Sequence, residues 1–542
     1  MMTTAELSET PRPSLLDADP FPSQEGPALA QTVFRSIASR ELACARYWSH
    51  RDPIRKNRLW WRGQTARHMF HILPGESILE LGSGHGELSS VLATITRGEC
   101  PITAASFLPG CADGGPGHAT DDRIEWINLE EFPGPLAGQQ FDYIVATCLL
   151  DLENASLLLK EVKKLLRPGG RILFFETNPW NPLFSSRKLL SRWLPFLRRG
   201  DERGLPSKTK LYELLSEVGY VSIAATCYDF LYWPIPQPLM WLGRNLTLLM
   251  ENTPFIRQLA GTILLYAQVP PQGLARRPVR MVEHERLHGA VSVVVPCHNE
   301  EMNVIPLVDG LIRHYDDYIA EFILVDDNSK DRTAEVLRWL ARRDPRVRPI
   351  FRRPPNGVGR ALRDGLAHAT GRYVLLMDCD FLHILPELRE MFDAAARGDE
   401  VVLGSRFSRE SVLINYPAMK IVCNRSFHLL LTLLFRRRLL DLTNNLKLLS
   451  REVVDQLEIE APWFAANAET GLRPILLGYP ARLIPISWIN RTPDMGSSSF
   501  SLLKNGLGYL KVLGSLAWKS RFGTRLLPRR QVESAAQEAE AR

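Results

Sequence analysis

Two acidic clusters dominate the second half of this chain. Asp326 and Asp327 follow the apolar run Phe322-Ile-Leu-Val325, and Asp378 and Asp380 follow Tyr373-Val-Leu-Leu-Met377. Carboxylates at the ends of buried strands can share a divalent cation, and a cation held by one or two carboxylates keeps positions open for diphosphate oxygens. That chemistry would assist departure of a nucleoside diphosphate. A third polar cluster, Pro296-Cys-His298-Asn-Glu300, closes the apolar run Val291 to Val295. Ligand sites of open α/β sheets lie outside the carboxyl ends of their strands, so the three strand ends predict one site. Far upstream, Glu80-Leu-Gly-Ser-Gly-His-Gly86 sets three glycines after another apolar run. Without a Cβ the backbone there can approach a ligand closely. Two separate nucleotide-type sites are expected.

The elements that must hold these residues follow from periodicity. Apolar runs at Ile78 to Leu81, Ile102 to Phe107, Tyr143 to Thr147 and Ile172 to Glu176 alternate with helical patterns such as Leu152 to Leu166. That alternation predicts a parallel sheet. A second α/β pattern begins at Val291. With 542 residues the chain is too long for one core. The expected division is a disordered tail over 1–44, a first domain over 45–270, a linker over 271–289, a second domain over 290–525 and a charged tail over 526–542.

Composition narrows the function. The 66 Lys and Arg against 60 Asp and Glu leave a net charge of +6, compatible with phosphate-rich ligands or an anionic membrane surface but too weak to imply nucleic acid. The 8 cysteines show no CxxC pair and no metal-finger spacing, which points to a reducing compartment and a cytoplasmic location. The apolar stretches around Leu239 to Met250 and Leu429 to Phe435 fall short of the roughly 18 residues that span a bilayer, so no membrane span is expected.

In the first half, Glu80 to Gly86, Phe141-Asp-Tyr-Ile-Val-Ala146 and Leu165-Leu-Arg-Pro-Gly-Gly-Arg171 follow one another in an order that resembles class I S-adenosylmethionine-dependent methyltransferases. The resemblance implies a seven-strand Rossmann-like sheet, with Gly82, Gly84 and Gly86 beside the methionine part of S-adenosylmethionine and Glu80 helping to orient it. That family usually ends its second strand in Asp or Glu for the ribose hydroxyls. Here the strand ends in Ser106, which would take that part, while Asn128 would replace the acid that contacts adenine. His85 and Asp151 are candidate bases, each with an ordinary reading as a helix-capping residue. A first half that keeps the fold as a non-catalytic cofactor-binding or scaffolding module is the alternative.

The second half resembles family 2 glycosyltransferases of the GT-A fold. The resemblance rests on Pro296 to Glu300, on Val325-Asp-Asp-Asn-Ser-Lys-Asp331-Arg-Thr333, on Asn356-Gly-Val-Gly359, on Asp378-Cys-Asp380 and on Val402-Leu-Gly-Ser-Arg406. It implies that Asp378 and Asp380 hold Mg²⁺ or Mn²⁺, and that Pro296, His298, Glu300, Asp326, Asp327 and Arg406 bind the nucleotide-sugar donor. Downstream segments sit where polyprenyl-phosphate sugar transferases carry acceptor contacts, which makes Asn444, Asn445, Arg491 and Ser498 the acceptor candidates. A lipid phosphate acceptor is already a nucleophile and needs no strong base. A glycan hydroxyl would need one, and Glu469 is the candidate. Inversion at C1 is expected either way.

Between Tyr416 and Leu440 the polar residues Lys420, Asn424, His428 and Thr432 recur at every fourth position, among Leu, Ile, Met and Phe and before Arg436-Arg-Arg438. Such a helix either lies in the inner leaflet of the cell membrane, giving peripheral membrane contact, or packs its apolar face into its own domain. The whole reads as a bifunctional α/β enzyme of two domains, a sugar transferase fused to a methyltransferase.

Overall fold

The computed structural model describes residues 28–49, 52–110, 121–184, 186, 204–231, 235–272, 279–408, 410–436, 441–489 and 502–522. The chain forms two compact units, Met1–Leu274 and Ala275–Arg542.

The first unit opens with two helices, α1 (Ala28–Trp48) and α2 (Pro53–Phe70), and then alternates: β1 (Ile78–Leu81), α3 (Glu87–Ile95), β2 (Ile102–Ser106), β3 (Ile124–Asn128), β4 (Phe141–Thr147), α4 (Ala155–Lys164), β5 (Leu166–Thr177), α5 (Lys208–Val218), β6 (Val221–Tyr228), α6 (Met240–Glu251) and β7 (Thr262–Gln268). The seven strands lie in the order β3-β2-β1-β4-β5-β7-β6. β1 pairs in parallel with both β2 and β4, and only β7 runs against its neighbours. β1 and β2 are buried at every position, as strands covered on both faces must be, which explains their unbroken apolar runs. Strand order reverses between β1 and β4, so a crevice opens beyond the end of β1, where the glycine turn stands.

The expected N-terminal tail reached too far. α1 occupies Ala28–Trp48, because Ile37, Ala38, Glu41 and Ala45 form one helical face that the core buries. Part of the expected linker is also built into a core: Met281 and Leu287 are buried in the second unit, and Met281 N–H donates to the His314 carbonyl at 2.8 Å.

The second unit runs β8 (Val291–Cys297), α7 (Val304–Tyr315), β9 (Ile319–Asp326), α8 (Thr333–Arg343), β10 (Val347–Phe351), α9 (Val358–His368), β11 (Tyr373–Leu376), α10 (Leu388–Ala396), β12 (Val401–Ser405), β13 (Leu413–Ile414), α11 (Ala418–Phe435), β14 (Lys447–Ser450), α12 (Arg451–Asp455), α13 (Ala466–Leu476), β15 (Ala481–Pro485), β16 (Trp488–Ile489) and α14 (Leu502–Phe522). Its main sheet has the order β10-β9-β8-β11-β14-β12-β15, with β14 antiparallel to both neighbours. Order reverses between β8 and β11. The carboxyl ends of β8, β9 and β11 therefore share one edge beside a reversal point.

The expected helix between Tyr416 and Leu440 forms as α11. It starts at Ala418, earlier than the apolar stretch Leu429 to Phe435, and its 18 residues are long and apolar enough, by length and composition, to cross a bilayer, with 17% buried. Its polar stripe faces inward. Asn424 Nδ2 donates to Thr443 Oγ1 at 3.0 Å, and buried His428 accepts the Leu442 N–H at 2.8 Å. The apolar residues Met419, Val422, Leu429 and Leu433 face outward, Leu433 being 67% exposed.

Candidate functional site

At the edge of the second sheet, Asp326 ends β9 and stands in register with Cys297 at the end of β8. Cys297 Sγ lies 3.5 Å from the Sγ of Cys379, the residue between Asp378 and Asp380. The three strand ends are thus neighbours. Burial first, and the charge of Asp380 second, push the Asp378 carboxyl up to about 7, with Glu300 adding to the repulsion. Asn445 opposes the shift by donating Nδ2 to Asp378 Oδ1 at 2.8 Å, and Lys447 opposes it by charge. Lys447 is itself buried, its amine drawn down to about 7 by desolvation, and its Nζ donates to the Asn444 carbonyl rather than forming an ion pair with Asp378. Asn445 Oδ1 is buried without a hydrogen-bond partner. Crowded carboxylates beside an orphaned amide oxygen are an oxygen-ligand set short of a cation, which fits Mg²⁺ or Mn²⁺.

The other expected residues separate into two groups. His298 Nδ1 lies 3.0 Å from the Asp327 carbonyl, and Glu300 accepts from Asn303 Nδ2 at 2.5 Å, so both belong to the same edge as Pro296. Asp326 Oδ1 accepts the Ser329 N–H at 3.1 Å and shapes the turn after β9. Asp327 is held by Arg352 and by the Gly357 N–H at 2.6 Å, which secures the loop before α9. Arg406 is bound bidentately by Asp441, at 2.9 and 2.7 Å, and donates to Tyr416 Oη at 3.1 Å. Asn444 Nδ2 donates to the Gly404 carbonyl at 2.9 Å.

Glu469 is 2% exposed, and its Oε2 accepts the Glu460 and Ala461 N–H groups at 2.9 and 2.8 Å. That fixes the 460–462 segment, whose carbonyls press on Gly357 and Gly359 so closely that a Cβ at either would clash. The carboxylate expected as a base holds a loop instead. Arg491 and Ser498 lie outside the described residues.

In the first unit, Glu80 is buried at the end of β1 with Ser89 donating to it, and burial raises its carboxyl to about 8. Gly82, Gly84 and Gly86 take φ of +73°, +55° and +75°, the left-handed region that needs glycine. Leu149, Ala45 and Trp126 lean against the three in turn. A cavity remains between this turn and α1, lined by Cys44, Trp48, Glu80, Ser83, Glu87 and Thr147, and Ser83 Oγ is buried without a partner. A cradle of left-handed glycines with an orphaned hydroxyl fits a polar cofactor such as S-adenosylmethionine.

Ser106, the residue expected to meet the ribose, is engaged within the fold. Its Oγ donates at 2.6 Å to Glu41 on α1, which also accepts the Gly84 N–H at 2.8 Å and the Phe107 N–H at 2.7 Å. Asn128 ends β3 in register with Ser106. Asp151 turns out to be structural: it accepts the Glu153 and Asn154 N–H groups at 2.9 and 2.7 Å ahead of α4. His85 sits in the glycine turn, its pKa lowered by burial.

One further cluster has ligand-like spacing. Glu283, His284 and Asp393 bring their ligand atoms within 4.8 Å of one another. Arg389 already pairs with Glu283, and His284 with Asp393 at 2.9 Å, and the group stands on the former linker and α10 rather than at the strand ends.

Sequence reasoning missed Glu41 and Asp441. Asp441 lies three residues before the acceptor candidate Asn444 and was given no role, and Glu41 lay inside the presumed tail, where the spacing of Ile37, Ala38 and Ala45 was the available signal.

Comparison with known proteins agrees with this division. Residues 292–458 match the family model Glycosyl transferase family 2, and residues 30–225 match the model Methyltransferase domain. The polyprenol monophosphomannose synthase of Mycolicibacterium smegmatis is 28% identical over 39% of this chain and 80% of its own length. A dolichyl-phosphate beta-glucosyltransferase of Trichomonas vaginalis is 28% identical over 29% of this chain, and the match spans about half, 51%, of that relative. Among solved structures, glucosyl-3-phosphoglycerate synthase from Mycobacterium tuberculosis aligns at 19% identity with a TM-score of 0.34, over 44% of this chain and 81% of that one. The chain therefore carries a methyltransferase domain followed by a family 2 glycosyltransferase domain, both from enzymatic families.

Proposed function

We propose that the second unit transfers a sugar, with inversion and with Mg²⁺ or Mn²⁺, from a nucleotide-sugar donor to a polyprenyl phosphate. The observation that carries this reading is the crowding of Asp378, Asp380, Glu300 and Asn445 at one sheet edge, with the Asp378 carboxyl pushed up to about 7. When bound, the cation would neutralise charge on the departing diphosphate. The chain's own residues do the positioning. Asn445 orients Asp378, the Asp326 turn and His298 shape the base and ribose side, and Lys447 braces the Asn444 turn from behind.

Two features favour a phosphate acceptor over a sugar hydroxyl. The candidate base Glu469 is committed to two backbone amides, and an oxyanion acceptor needs no base. The outward apolar face of α11 suits an enzyme whose acceptor is embedded in lipid, and it supports a reading of peripheral contact at the inner face of the cell membrane. Both relatives are named for polyprenol or dolichyl phosphates, which supports the same choice.

For the first unit we infer S-adenosylmethionine binding at the glycine turn and methyl transfer from it. A non-catalytic cofactor-binding role is the second reading, favoured by Asp151, a candidate base that caps a turn instead.

Asp380→Ala is expected to abolish cation-dependent release of nucleoside diphosphate in a screen of nucleotide sugars with a polyprenyl phosphate. Undiminished turnover would place the site elsewhere.

A further inference from the structure

β2 ends in Ser106, and the structure puts a carboxylate there by another route. Glu41 on α1 is 0% exposed and lies across the end of β2, with Oε1 accepting from Ser106 Oγ and Gly84 N–H and Oε2 from Phe107 N–H. These donors belong to the glycine turn and the strand end, the two walls of the crevice. A buried carboxylate without donors would be costly, and even with three of them burial raises Glu41 to about 7. A carboxylate has about four acceptor positions, so three donors leave capacity for one more. α1 is anchored so that Glu41 cannot swing away: Ile37 and Ala38 join the core cluster, and Ala45 touches Gly84.

We propose that Glu41 is the acidic ligand for the ribose 2′-hydroxyl of an adenosyl cofactor, delivered by α1 to a strand end that lacks its own acid. The assignment rests on the reading that the first unit binds S-adenosylmethionine. The helix preceding the sheet is then part of the cofactor site. Ser106 is a positioning residue, orienting Glu41 rather than touching the ribose.

The test is calorimetric binding of S-adenosylhomocysteine and its 2′-deoxy counterpart to the full chain, as wild type, Glu41→Gln and Glu41→Ala. Wild type is expected to prefer the ribose form by about ten- to hundredfold, the range for a hydrogen bond to a charged group. Glu41→Ala should bind both forms equally and weakly. Glu41→Gln keeps the side-chain shape and should lose most of the preference, and it serves as the test should the alanine variant not fold. If wild type binds neither form, the reading of the first unit fails and takes this assignment with it. If wild type binds without discriminating, or a variant keeps the discrimination or binds more tightly, only the Glu41 assignment falls.

Discussion

Asn445 donates its side-chain amide to Asp378 at 2.8 Å while its own Oδ1 remains buried and unpartnered. The pair therefore presents acceptor atoms in excess of donors, an excess that the proposed cation would resolve. The sign of the pH dependence follows. With a folded pKa of about 7, Asp378 holds a proton that the unfolded chain releases above about pH 4. The folded state then loses stability as pH rises from about 4 to about 7. A cation that displaces this proton binds better at pH 8 than at pH 6. At pH 8, Mn²⁺ should raise the unfolding temperature of the wild type, and the rise should shrink at pH 6. Asp378→Asn should be more stable than wild type without metal at pH 8 and unresponsive to Mn²⁺. An equal Mn²⁺ response at both pH values would count against the site.

Arg406 and Asp441 supply the second prediction. Asp441 has a fully buried side chain and Arg406 is nearly so, joined bidentately. Removing one member of a buried pair leaves an uncompensated charge and costs about 3–5 kcal/mol. Asp441→Ala should therefore lower the unfolding temperature of the second unit by roughly 2–4 °C for each kcal/mol lost. An unchanged melting curve would show that the guanidinium finds another partner, as it would on moving toward a bound phosphate.

What the sequence discloses here is what is local. The ends of β1, β8, β9 and β11 were legible because each is a short apolar run closed by polar residues within a few positions. Glu41 was not legible, since its partners Gly84 and Ser106 meet it only through tertiary packing of α1. The commitment of Glu469 to Glu460 and Ala461 was hidden for the same reason: an acid on a helix reads alike whether it faces substrate or its own backbone. In α11 the spacing of Asn424, His428 and Thr432 gave the stripe but not its direction, which the Asp441–Thr443 segment decides by accepting and donating hydrogen bonds to it.

The first unit should respond to pH as a whole. Burial raises Glu41 to about 7 and Glu80 and Glu176 to about 8, so between about pH 4 and these values the folded state holds protons that the unfolded chain has lost. Stability is expected to fall as pH rises from 5 to 8. In calorimetric unfolding of the full chain, the transition of the first unit should move to lower temperature over this range, and Glu80→Gln should flatten its slope while leaving the pH response of the second unit unchanged. A transition that instead rises with pH would mean that these carboxyls are ionised in the folded protein.

The outward face of α11 leads to the last prediction. Met419, Leu429 and Leu433 are each more than 60% exposed, while the polar side of the same helix is bonded to the 441–443 segment. Exposing apolar groups while burying polar ones reverses the usual order for a water-facing helix, and it is stable where the outer medium is lipid. Arg436-Arg-Arg438 at its end would add attraction to anionic headgroups of about 1 kcal/mol per residue near the surface. The full chain should sediment with vesicles containing phosphatidylglycerol, and high salt should weaken binding without abolishing it. Leu429→Glu combined with Leu433→Glu should release the protein at any salt while leaving its unfolding temperature unchanged, since neither side chain packs in the core. Binding that survives both substitutions would assign membrane contact to another surface; binding lost entirely in salt would make the contact purely electrostatic and the apolar face irrelevant to it.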